Sequence, residues 1–290
     1  MELFCFLILH YQSLEDTENC ISSIRNLNLQ DHIRILIVDN HSPNGSGTVL
    51  YKKYKEDPQM LIITTEENWG FSKGNNIGCE KAVEKLDPDY LIVANNDILF
   101  PQNDFLQKIH EEYSAKHFDI LGPDIFDPNT LKHQTPMDLR PPSAAAALKT
   151  IVFNSLALRL PDAFISSLDK NSVSSDICSD LNPQISREQV VLQGSCLIYS
   201  GQYLKKKLSR CHNCLFYPET RFYYEEYIQA LWSRRNSCKT VYSPSLLVHH
   251  MGGRATSSIS GTDSYRIRFR MKNIRDSAAV YLRFLLRNQK

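Results

Sequence analysis

The stretch 89-DYLIVANNDILF-100 joins a short apolar run to a cluster of small polar side chains. The apolar residues 91–94 predict a buried strand, and Asn95, Asn96 and Asp97 follow it directly. Ligands of open α/β sheets bind beyond the carboxyl ends of the strands. A carboxylate beside two amides at such an end therefore predicts a ligand site. The competing interpretation of Asp97 is a turn aspartate, which is common after strands.

The segments on the amino-terminal side of this stretch alternate between strand and helix patterns. Apolar runs at 3–9, 33–38 and 61–65 predict strands, and residues 13–27, 49–55 and 76–86 predict helices. This order predicts an α/β fold with a Rossmann-like, mostly parallel sheet and helices on both faces. We expect a ligand along one sheet edge, because each of these strands ends in polar residues. These exits are His10-Tyr11-Gln12, Asp39-Asn40, Asn68 with its loop, and Asn95-Asn96-Asp97.

The second half of the chain is less regular. Residues 105–116 predict a helix, 190–199 a strand with Gly194 inside it, and "RFYYEEYIQALWSRR" a helix with two adjacent glutamates near its start. A later strand ends in His249 and His250. Residues 140–180 are rich in proline, alanine and serine, which predicts a mobile or partly helical insertion over the site.

Charge is distributed unevenly along a chain of 290 residues with a net charge of +1. Residues 265–290 contain eight Lys or Arg against one acid, and residues 274–286 have helical apolar spacing. Two interpretations remain open for this basic tail: contact with an anionic membrane surface, or packing on the protein body with its arginines near acidic groups or donor phosphates. No nucleic-acid partner is expected, because the chain has no recognisable nucleic-acid module.

The sequence also favours a cytoplasmic location. Its longest apolar runs are shorter than a membrane span requires, and the first residues have the pattern of a strand instead of a signal peptide. We expect the eight cysteines to be reduced thiols. Cys211 and Cys214 form a CxxC pair, but no second pair follows at zinc-binding spacing.

Two common phosphate-binding loops are absent from the sequence. The turn after the first strand, "HYQSLED", lacks the glycines of a dinucleotide-binding fingerprint, and no P-loop is present. A bound diphosphate would then need a divalent cation to offset its charge. Asp97 offers a carboxylate ligand for such an ion, and His249 or His250 offers a nitrogen.

Several motifs occur together in an order that resembles glycosyltransferase family 2. They are the first strand with its exit, "VDNHSPNGS", "NWGFSKGNNIG", "ANNDILF", "LQGSCLIY", "FYYEEY" and "VHH". The chain is most similar to bacterial rhamnosyltransferase-like members that build cell-surface polysaccharides. The resemblance implies a single GT-A-like domain, with a nucleotide-sugar-binding half at 1–100 and an acceptor and catalytic half at 101–250. The variable segment near 140–180 and the basic tail at 251–290 complete the expected organisation.

The resemblance also implies an activity. The expected reaction is an inverting transfer of a hexosyl or deoxyhexosyl group from a dTDP- or UDP-sugar, assisted by Mg²⁺ or Mn²⁺. The acceptor would be a hydroxyl of a growing, lipid-linked capsule or cell-wall polysaccharide, at the inner face of the cytoplasmic membrane. Asn95 replaces the first carboxylate of the family's DxD motif, which leaves a degenerate, non-catalytic nucleotide-sugar-binding protein as one alternative. A sugar nucleotidyltransferase is the other, although "HYQSLED" lacks the phosphate loop expected of that class.

The residue roles that the resemblance implies fall into three groups. Asp97 and His250 would be the metal ligands. Glu226 would be the catalytic base, with Glu225 as the alternative, although either glutamate could serve only to complement the helix dipole. The nucleotide-sugar would contact a larger set, namely His10, Tyr11, Asp39, Asn68, Gly70, Phe71, Gly74, Asn75, Asn95, Asn96 and Gly194.

Overall fold

Four parallel strands form the part of the sheet that the amino-terminal pattern predicts. They are β1 (Phe4–His10), β2 (Ile33–Asp39), β3 (Met60–Thr64) and β4 (Tyr90–Asn95), and they lie in the order β3-β2-β1-β4. The structure is a computed structural model that describes residues 2–162, 164–165, 181–210, 214–252 and 263–287. Since the four strands are parallel, their carboxyl ends lie along one edge of the sheet, as predicted.

The same sheet continues into the second half of the chain. β9 (Cys196–Ser200) pairs antiparallel with both β4 and β6 (Ile120–Asp127), and β10 (Thr240–His250) runs parallel to β6. Three two-residue strands pair at its margins: β5 (Ile98–Leu99) with β10, β7 (Lys132–His133) with β6, and β8 (Arg187–Glu188) with β10. The two predicted halves therefore share one mostly parallel sheet.

Helices cover both faces of this sheet, which confirms the predicted fold class. The described helices are α1 (Leu14–Arg25), α2 (Ser46–Tyr54), α3 (Gly70–Leu86), α4 (Phe105–Lys116), α5 (Ala144–Ala157), α6 (Gly201–Arg210), α7 (Glu225–Arg235) and α8 (Asp263–Arg287). On one face Ile21 of α1, Leu50 of α2 and Ile109 of α4 pack on the strands. On the other face Cys79 of α3 and Tyr203 of α6 do so. Among the described helices, none combines the length and apolarity that crossing a bilayer requires.

The strand predicted at 190–199 is wrong in its first half. Strand β9 begins only at Cys196, and Val191 makes an isolated bridge with Asp138. The side-chain oxygen of Gln193 accepts a hydrogen bond from the backbone N–H of Ser195, 2.7 Å away. This local bond closes a turn in place of strand pairing, because side-chain to backbone bonds compete with the ladder. Gly194 consequently lies in the turn that precedes β9.

The predicted insertion and tail pack against each other. The first half of the 140–180 segment forms α5, and its Ala147 and Ala157 are buried against α8. Residues 163 and 166–180 lie outside the described part, as do 253–262 and 288–290 of the tail and Cys211 of the CxxC pair. Helix α8 buries Ile267, Met271 and Tyr281 on the protein body, which accounts for its apolar spacing.

Candidate active site

The polar residues after β4 meet the carboxyl end of β10. Strand β5 starts one residue after Asp97 and pairs antiparallel with β10, so that Ile98 lies opposite His250. His250 Nε2 lies 3.3 Å from Asp97 Oδ2, and both side chains are largely buried. The ring of the neighbouring His249 instead lies against Phe126, with 5.9 Å between ring centroids. The strand register therefore places His250, and not His249, beside Asp97.

A hydrogen bond from a third segment orients the His250 ring. His250 Nδ1 donates to Gln134 Oε1 at 2.7 Å. In the neutral imidazole this leaves the lone pair on Nε2, the nitrogen that faces Asp97. An imidazole nitrogen with its lone pair turned toward a carboxylate oxygen is a donor pair suited to a divalent cation, and the bond from Nδ1 is the usual outer partner of a ligating histidine.

This donor pair fits a metal that the substrate helps to bind. Among the described residues, no group of three or more His, Cys, Asp or Glu could hold an ion. Mg²⁺ in phosphate-transfer sites is commonly bound by one or two protein ligands together with phosphate oxygens and water. Asp97 and His250 could supply the protein share of such a set, and Asn95, at the position that the resemblance gives to the family's first carboxylate, is partly exposed at the end of β4.

The His10 side chain lies inside the protein at the end of β1. Its Nδ1 lies 2.7 Å from Thr17 Oγ1 and its Nε2 lies 2.8 Å from Ser46 Oγ. Burial lowers the pKa of His10 to about 4, although Asp39 acts in the opposite direction. The ring thus holds the first turns of α1 and α2 in place. Direct contact between His10 and a nucleotide stays a prediction, whereas Tyr11 next to it is partly exposed.

The Asn96 side chain is used in the same network. Its Nδ2 donates to Thr17 Oγ1 at 3.0 Å and to the carbonyl of Ser13 at 3.3 Å. The side chain is 4% exposed, so its amide fixes the exit of β4 against the start of α1. This contact supports a positioning role, which leaves Asn95 and Asp97 to face a ligand.

Asp39 ends β2 beside the first turn of α2. Its Oδ1 accepts from the backbone N–H of Ser42 at 3.1 Å. A β-carbon on Gly47 would come within 1.9 Å of Asp39 Oδ2, so only glycine lets the carboxylate lie there. The position suits the predicted contact with base or ribose, since a carboxylate accepts hydrogen bonds from their donors.

Asn40, the residue after Asp39, joins the strand exits to the glycine-rich loop. Its Nδ2 donates to the carbonyl of Gly70 at 3.1 Å, and its Oδ1 accepts from the backbone N–H of Trp69 at 2.9 Å. Asn68 Oδ1 accepts from the N–H of Gly70 at 3.0 Å. The side chains of Asn40, at the strand exit, and Asn68, in the loop, therefore fix the loop that is predicted to lie beneath the nucleotide.

The start of α3 is held from the other side by Arg221. Its carbonyl accepts from the N–H of Phe71 at 2.8 Å, and its Nη2 donates to the carbonyl of Asn68 at 3.1 Å. Gly70 has φ of +77°, and a β-carbon there would lie 2.6 Å from the Arg221 carbonyl oxygen. Gly70 is therefore required by both its conformation and its neighbour.

Gly74 and Asn75 lie within α3, because this helix begins at Gly70 and not at the predicted residue 76. A β-carbon on Gly74 would lie 2.7 Å from Leu9 Cδ1, so Gly74 allows α3 to approach β1 closely. The Asn75 side chain is fully buried, and its Nδ2 donates to the carbonyl of Phe71 at 3.0 Å. Within the described part of the chain, Asn75 Oδ1 accepts no hydrogen bond. Buried amide oxygens are normally paired, so this acceptor is consistent with the predicted ligand contact.

Gly194 and Glu226 meet where the turn before β9 faces the first turn of α7. A β-carbon on Gly194 would lie 3.0 Å from Glu226 Oε1. The backbone N–H groups of Gly194 and of Glu226 itself hydrogen-bond the Glu226 carboxylate. Burial nevertheless raises the pKa of Glu226 above its ordinary value. Glu226 as a whole residue remains partly exposed.

Glu225 occupies a different environment on the same turn. It is 7% exposed, and its Oε2 is buried without a hydrogen-bond partner among the described residues. Burial, reinforced by the nearby Glu226 carboxylate, raises the pKa of Glu225 well above its ordinary value. The two glutamates thus differ in exposure, and Glu226 is the more exposed of the two.

The chain takes a rare conformation immediately before this helix. Tyr223 and Tyr224 have φ of +67° and +68°. Such values are uncommon in bulky residues and cost about 1–3 kcal/mol each, which is tolerated where the surroundings fix them. Tyr224 packs on Tyr227 and Tyr281, with ring centroids 5.1 and 5.6 Å apart. This packing sets the direction in which the glutamates leave the first turn.

Sequence patterns alone did not identify several residues that build the site. Thr17 and Ser46 contact His10 at the predicted exit of the first strand, so a search for polar residues around the strand exits could have found them. Gln134 and Arg221 lie in segments without a motif, and their contacts with His250 and the loop depend on tertiary packing.

Three comparisons place this architecture among known proteins. Over 121 residues the chain is 23% identical to the low-salt glycan biosynthesis hexosyltransferase Agl10 of Haloferax volcanii, a match that covers 42% of this chain and 36% of that relative. The chain therefore spans about a third of the length of this curated relative. Residues 1–349 of S. aureus TarS superpose with a TM-score of 0.55 at 12% identity, covering 99% of this chain and 75% of that one. The mannosyltransferase PcManGT of Pyrobaculum calidifontis, solved with GDP-Man and Mn²⁺, superposes with a TM-score of 0.54 at 10% identity, covering 100% and 76%.

The structural likenesses, at these identities, show a shared GT-A fold. A more specific assignment comes from the sequence of the domain. The profile named "Glycosyl transferase family 2" matches residues 5–165, which span the strand exits, the loop before α3 and Asp97. This match covers more than half of the 290 residues. The chain belongs to glycosyl transferase family 2.

Proposed function

We propose that this chain is a glycosyltransferase that moves a sugar from a nucleotide-sugar to an acceptor hydroxyl with inversion at the anomeric carbon. The observation that carries the proposal is the contact between Gly194 and Glu226, which sets the carboxylate of a partly exposed residue against a turn with no side chain. Asp97 and His250 lie at the exit of β4, the strand that pairs with β9. TarS has been solved with UDP-GlcNAc and PcManGT with GDP-Man, which supports a nucleotide-sugar as the donor class.

The residues divide the reaction between them as follows. Tyr11 and Asp39 contact the nucleoside, and the loop that includes Asn68 supports it. Glu226 takes the proton of the acceptor hydroxyl as the oxygen attacks the anomeric carbon. The bond from that carbon to the diphosphate oxygen breaks, and its electron pair leaves with the nucleotide. General-base assistance of this kind is worth about 10²–10⁴ in rate.

The reaction also requires that the negative charge on the leaving diphosphate be neutralised. Asp97 Oδ2 and His250 Nε2 are the atoms that would hold Mg²⁺ or Mn²⁺, and PcManGT, solved with Mn²⁺, supports this choice. Such an ion, when bound, supplies a Lewis acid that neutralises charge on phosphate oxygens. Gln134 keeps the His250 ring in the orientation that this role needs.

The donor and acceptor follow as narrower proposals. We propose a dTDP- or UDP-linked hexose or deoxyhexose as donor and a growing, lipid-linked cell-surface glycan as acceptor. The role of Agl10 in glycan biosynthesis and the rhamnosyltransferase-like motifs of this sequence support that acceptor class. The reaction would take place in the cytoplasm, at the inner face of the membrane.

Donor binding tests this proposal directly. Thermal shift and calorimetry should be run with UDP-, dTDP- and GDP-sugars, each in Mg²⁺, Mn²⁺ or EDTA. A donor at a hundred times its Kd should stabilise the wild type by about 2.7 kcal/mol. We expect this stabilisation to be lost in EDTA and in Asp97→Ala and to persist in Asp104→Ala, an aspartate outside the site. Absence of binding by every nucleotide-sugar would refute the proposal, and binding without transfer to any hydroxyl acceptor would favour the degenerate binding protein.

A further inference from the structure

Helix α5 carries a continuous apolar surface that faces outward. Leu148, Val152 and Leu156 recur at intervals of four residues, and Leu160 and Phe164 continue the interval beyond the end of the helix. Positions four apart lie on one side of a helix. These five side chains and Phe153 are between 40% and 60% exposed. We call this set of six residues the α5 apolar surface.

The opposite side of α5 is already occupied. Ala147 packs with Val280 and Tyr281 of α8, and Ala157 packs with Ile267 and Met271 of the same helix. A helix that is apolar on all sides is normally buried in a core or in a membrane. Here one side of α5 is covered by α8 and the other is exposed, so the α5 apolar surface can contact an apolar environment outside the protein.

The polar side chains of α5 are turned onto their own helix. Thr150 Oγ1 donates to the carbonyl of Ala146 at 3.2 Å, Asn154 Nδ2 to that of Thr150 at 2.8 Å, and Ser155 Oγ to that of Ile151 at 2.7 Å. Hydrogen bonds back to the carbonyl four residues earlier satisfy these groups without water. Helix α5 therefore presents little hydrogen-bonding capacity to its surroundings.

The charges around the α5 apolar surface are mostly positive. Between residues 139 and 164 the charged residues are Arg140, Lys149, Arg159 and Asp162, and Asp162 is paired with Arg268 of α8. Lys149 and Arg159 are exposed and fall on the outward side of the helix, where long basic side chains can extend past apolar neighbours to reach headgroups. Helix α8, packed behind, adds seven basic residues against two acids.

We propose that the α5 apolar surface is a docking site for an anionic lipid bilayer, in which α5 lies in the plane of the interface. Apolar side chains with interspersed cations, beside a single acid that Arg268 pairs, match the chemistry of such an interface. A second copy of the chain fits less well, because a twofold contact through this surface would set cations against cations. The membrane contact thus belongs to α5, and the basic helix α8, which buries Ile267, Met271 and Tyr281 on the protein body, adds long-range attraction.

Vesicle flotation tests the docking site on the full chain. Vesicles of phosphatidylcholine with about a third phosphatidylglycerol should float the protein, and pure phosphatidylcholine vesicles should bind it far more weakly, given about 1 kcal/mol for each basic residue near the surface. Leu156→Gln should weaken binding to the anionic vesicles about tenfold, because transfer of a leucine side chain out of water strengthens binding by about that factor. The double variant Lys149→Gln/Arg159→Gln should lose most of the difference between the two vesicle types.

A matched pair of valines provides the control. Val152 and Val49 are both exposed on helices, at 49% and 46%, but Val49 lies on α2. Val152→Gln should weaken vesicle binding, whereas Val49→Gln should leave it unchanged, and both variants should keep the wild-type melting temperature. Equal effects of the two valine changes would overturn the proposal. So would a dimer of the wild type that Leu156→Gln dissociates, together with failure to float on anionic vesicles. Donor binding by all these variants should equal that of the wild type, which separates this test from the test of the proposed activity.

Discussion

Replacing Glu226 and Glu225 separately by glutamine tests the catalytic assignment most sharply. The two residues are adjacent on the first turn of α7, so the same isosteric change is made in two environments. Glu226 is partly exposed and lies against Gly194, whereas Glu225 is buried. Only a carboxylate that the acceptor hydroxyl can reach can take its proton.

The expected magnitude follows from this difference in exposure. Glu226→Gln should lower kcat by about 10²–10⁴, equivalent to about 3–5 kcal/mol of transition-state stabilisation, with the Kd for the donor unchanged. Glu225→Gln should keep kcat within a few-fold of the wild type. Because burial raises the pKa of Glu226, the acid limb of the wild-type pH profile for kcat should lie above the ordinary glutamate range.

Glu225→Gln has a second readout in stability. The pKa of Glu225 is raised in the folded state, so the folded protein binds this proton more tightly than the unfolded chain does. The stability that this group contributes is present below the unfolded pKa and is lost as the pH rises through the folded pKa. The variant should therefore gain stability relative to the wild type at pH 8, and the gain should shrink towards pH 4.

The assay is single-turnover release of UDP or dTDP with a simple acceptor, alongside calorimetric donor binding for both variants. A Glu226→Gln enzyme with near-wild-type kcat would refute the assignment of the base. A Glu225→Gln enzyme that loses as much activity as Glu226→Gln, while remaining folded and binding donor normally, would move the role to Glu225 or to the pair.

Three further predictions concern other residues of the candidate active site. Gly194→Ala should lower kcat about tenfold and leave folding intact. Its β-carbon would lie 3.0 Å from Glu226 Oε1, and a small displacement of a catalytic group lowers the rate. A variant with unchanged kcat would contradict this reasoning. His10→Asn should flatten the pH dependence of the free energy of unfolding. The folded pKa of His10, about 4, lies below the ordinary 6.5, so the wild type loses up to about 3 kcal/mol of stability as the pH falls from 6.5 to 4. Urea titrations should therefore show a smaller difference in stability between the wild type and the variant at pH 4.5 than at pH 7. Asn40→Ala should cost about 2–3 kcal/mol of stability, since it removes buried bonds to Gly70 and Trp69, and should raise the donor Kd; a variant with wild-type stability and Kd would show that the loop does not depend on this side chain.

The sequence by itself determined the amino-terminal half of the fold. Its strands are short apolar runs followed by polar residues, and its helices have a clear apolar period, so local pattern and final structure agree except at the start of α3, which begins at Gly70 instead of residue 76. Parallel pairing then places His10, Asp39 and Asn95 at one edge, because parallel strands expose their carboxyl ends together. The position of Asp97 at this edge could therefore be predicted without coordinates.

Pairing between distant segments decided the rest. The register of β5 with β10 brings His250, not His249, to Asp97, and a shift of one residue would have turned the other histidine toward it. The turn closed by Gln193 places Gly194 ahead of β9, and the strained Tyr223 and Tyr224 aim Glu226 at it. The helical spacing of apolar residues in the sequence also cannot show which side of α5 is covered by another helix. That side is set by the docking of α8, a contact between residues more than a hundred positions apart in the sequence, and it leaves the α5 apolar surface exposed.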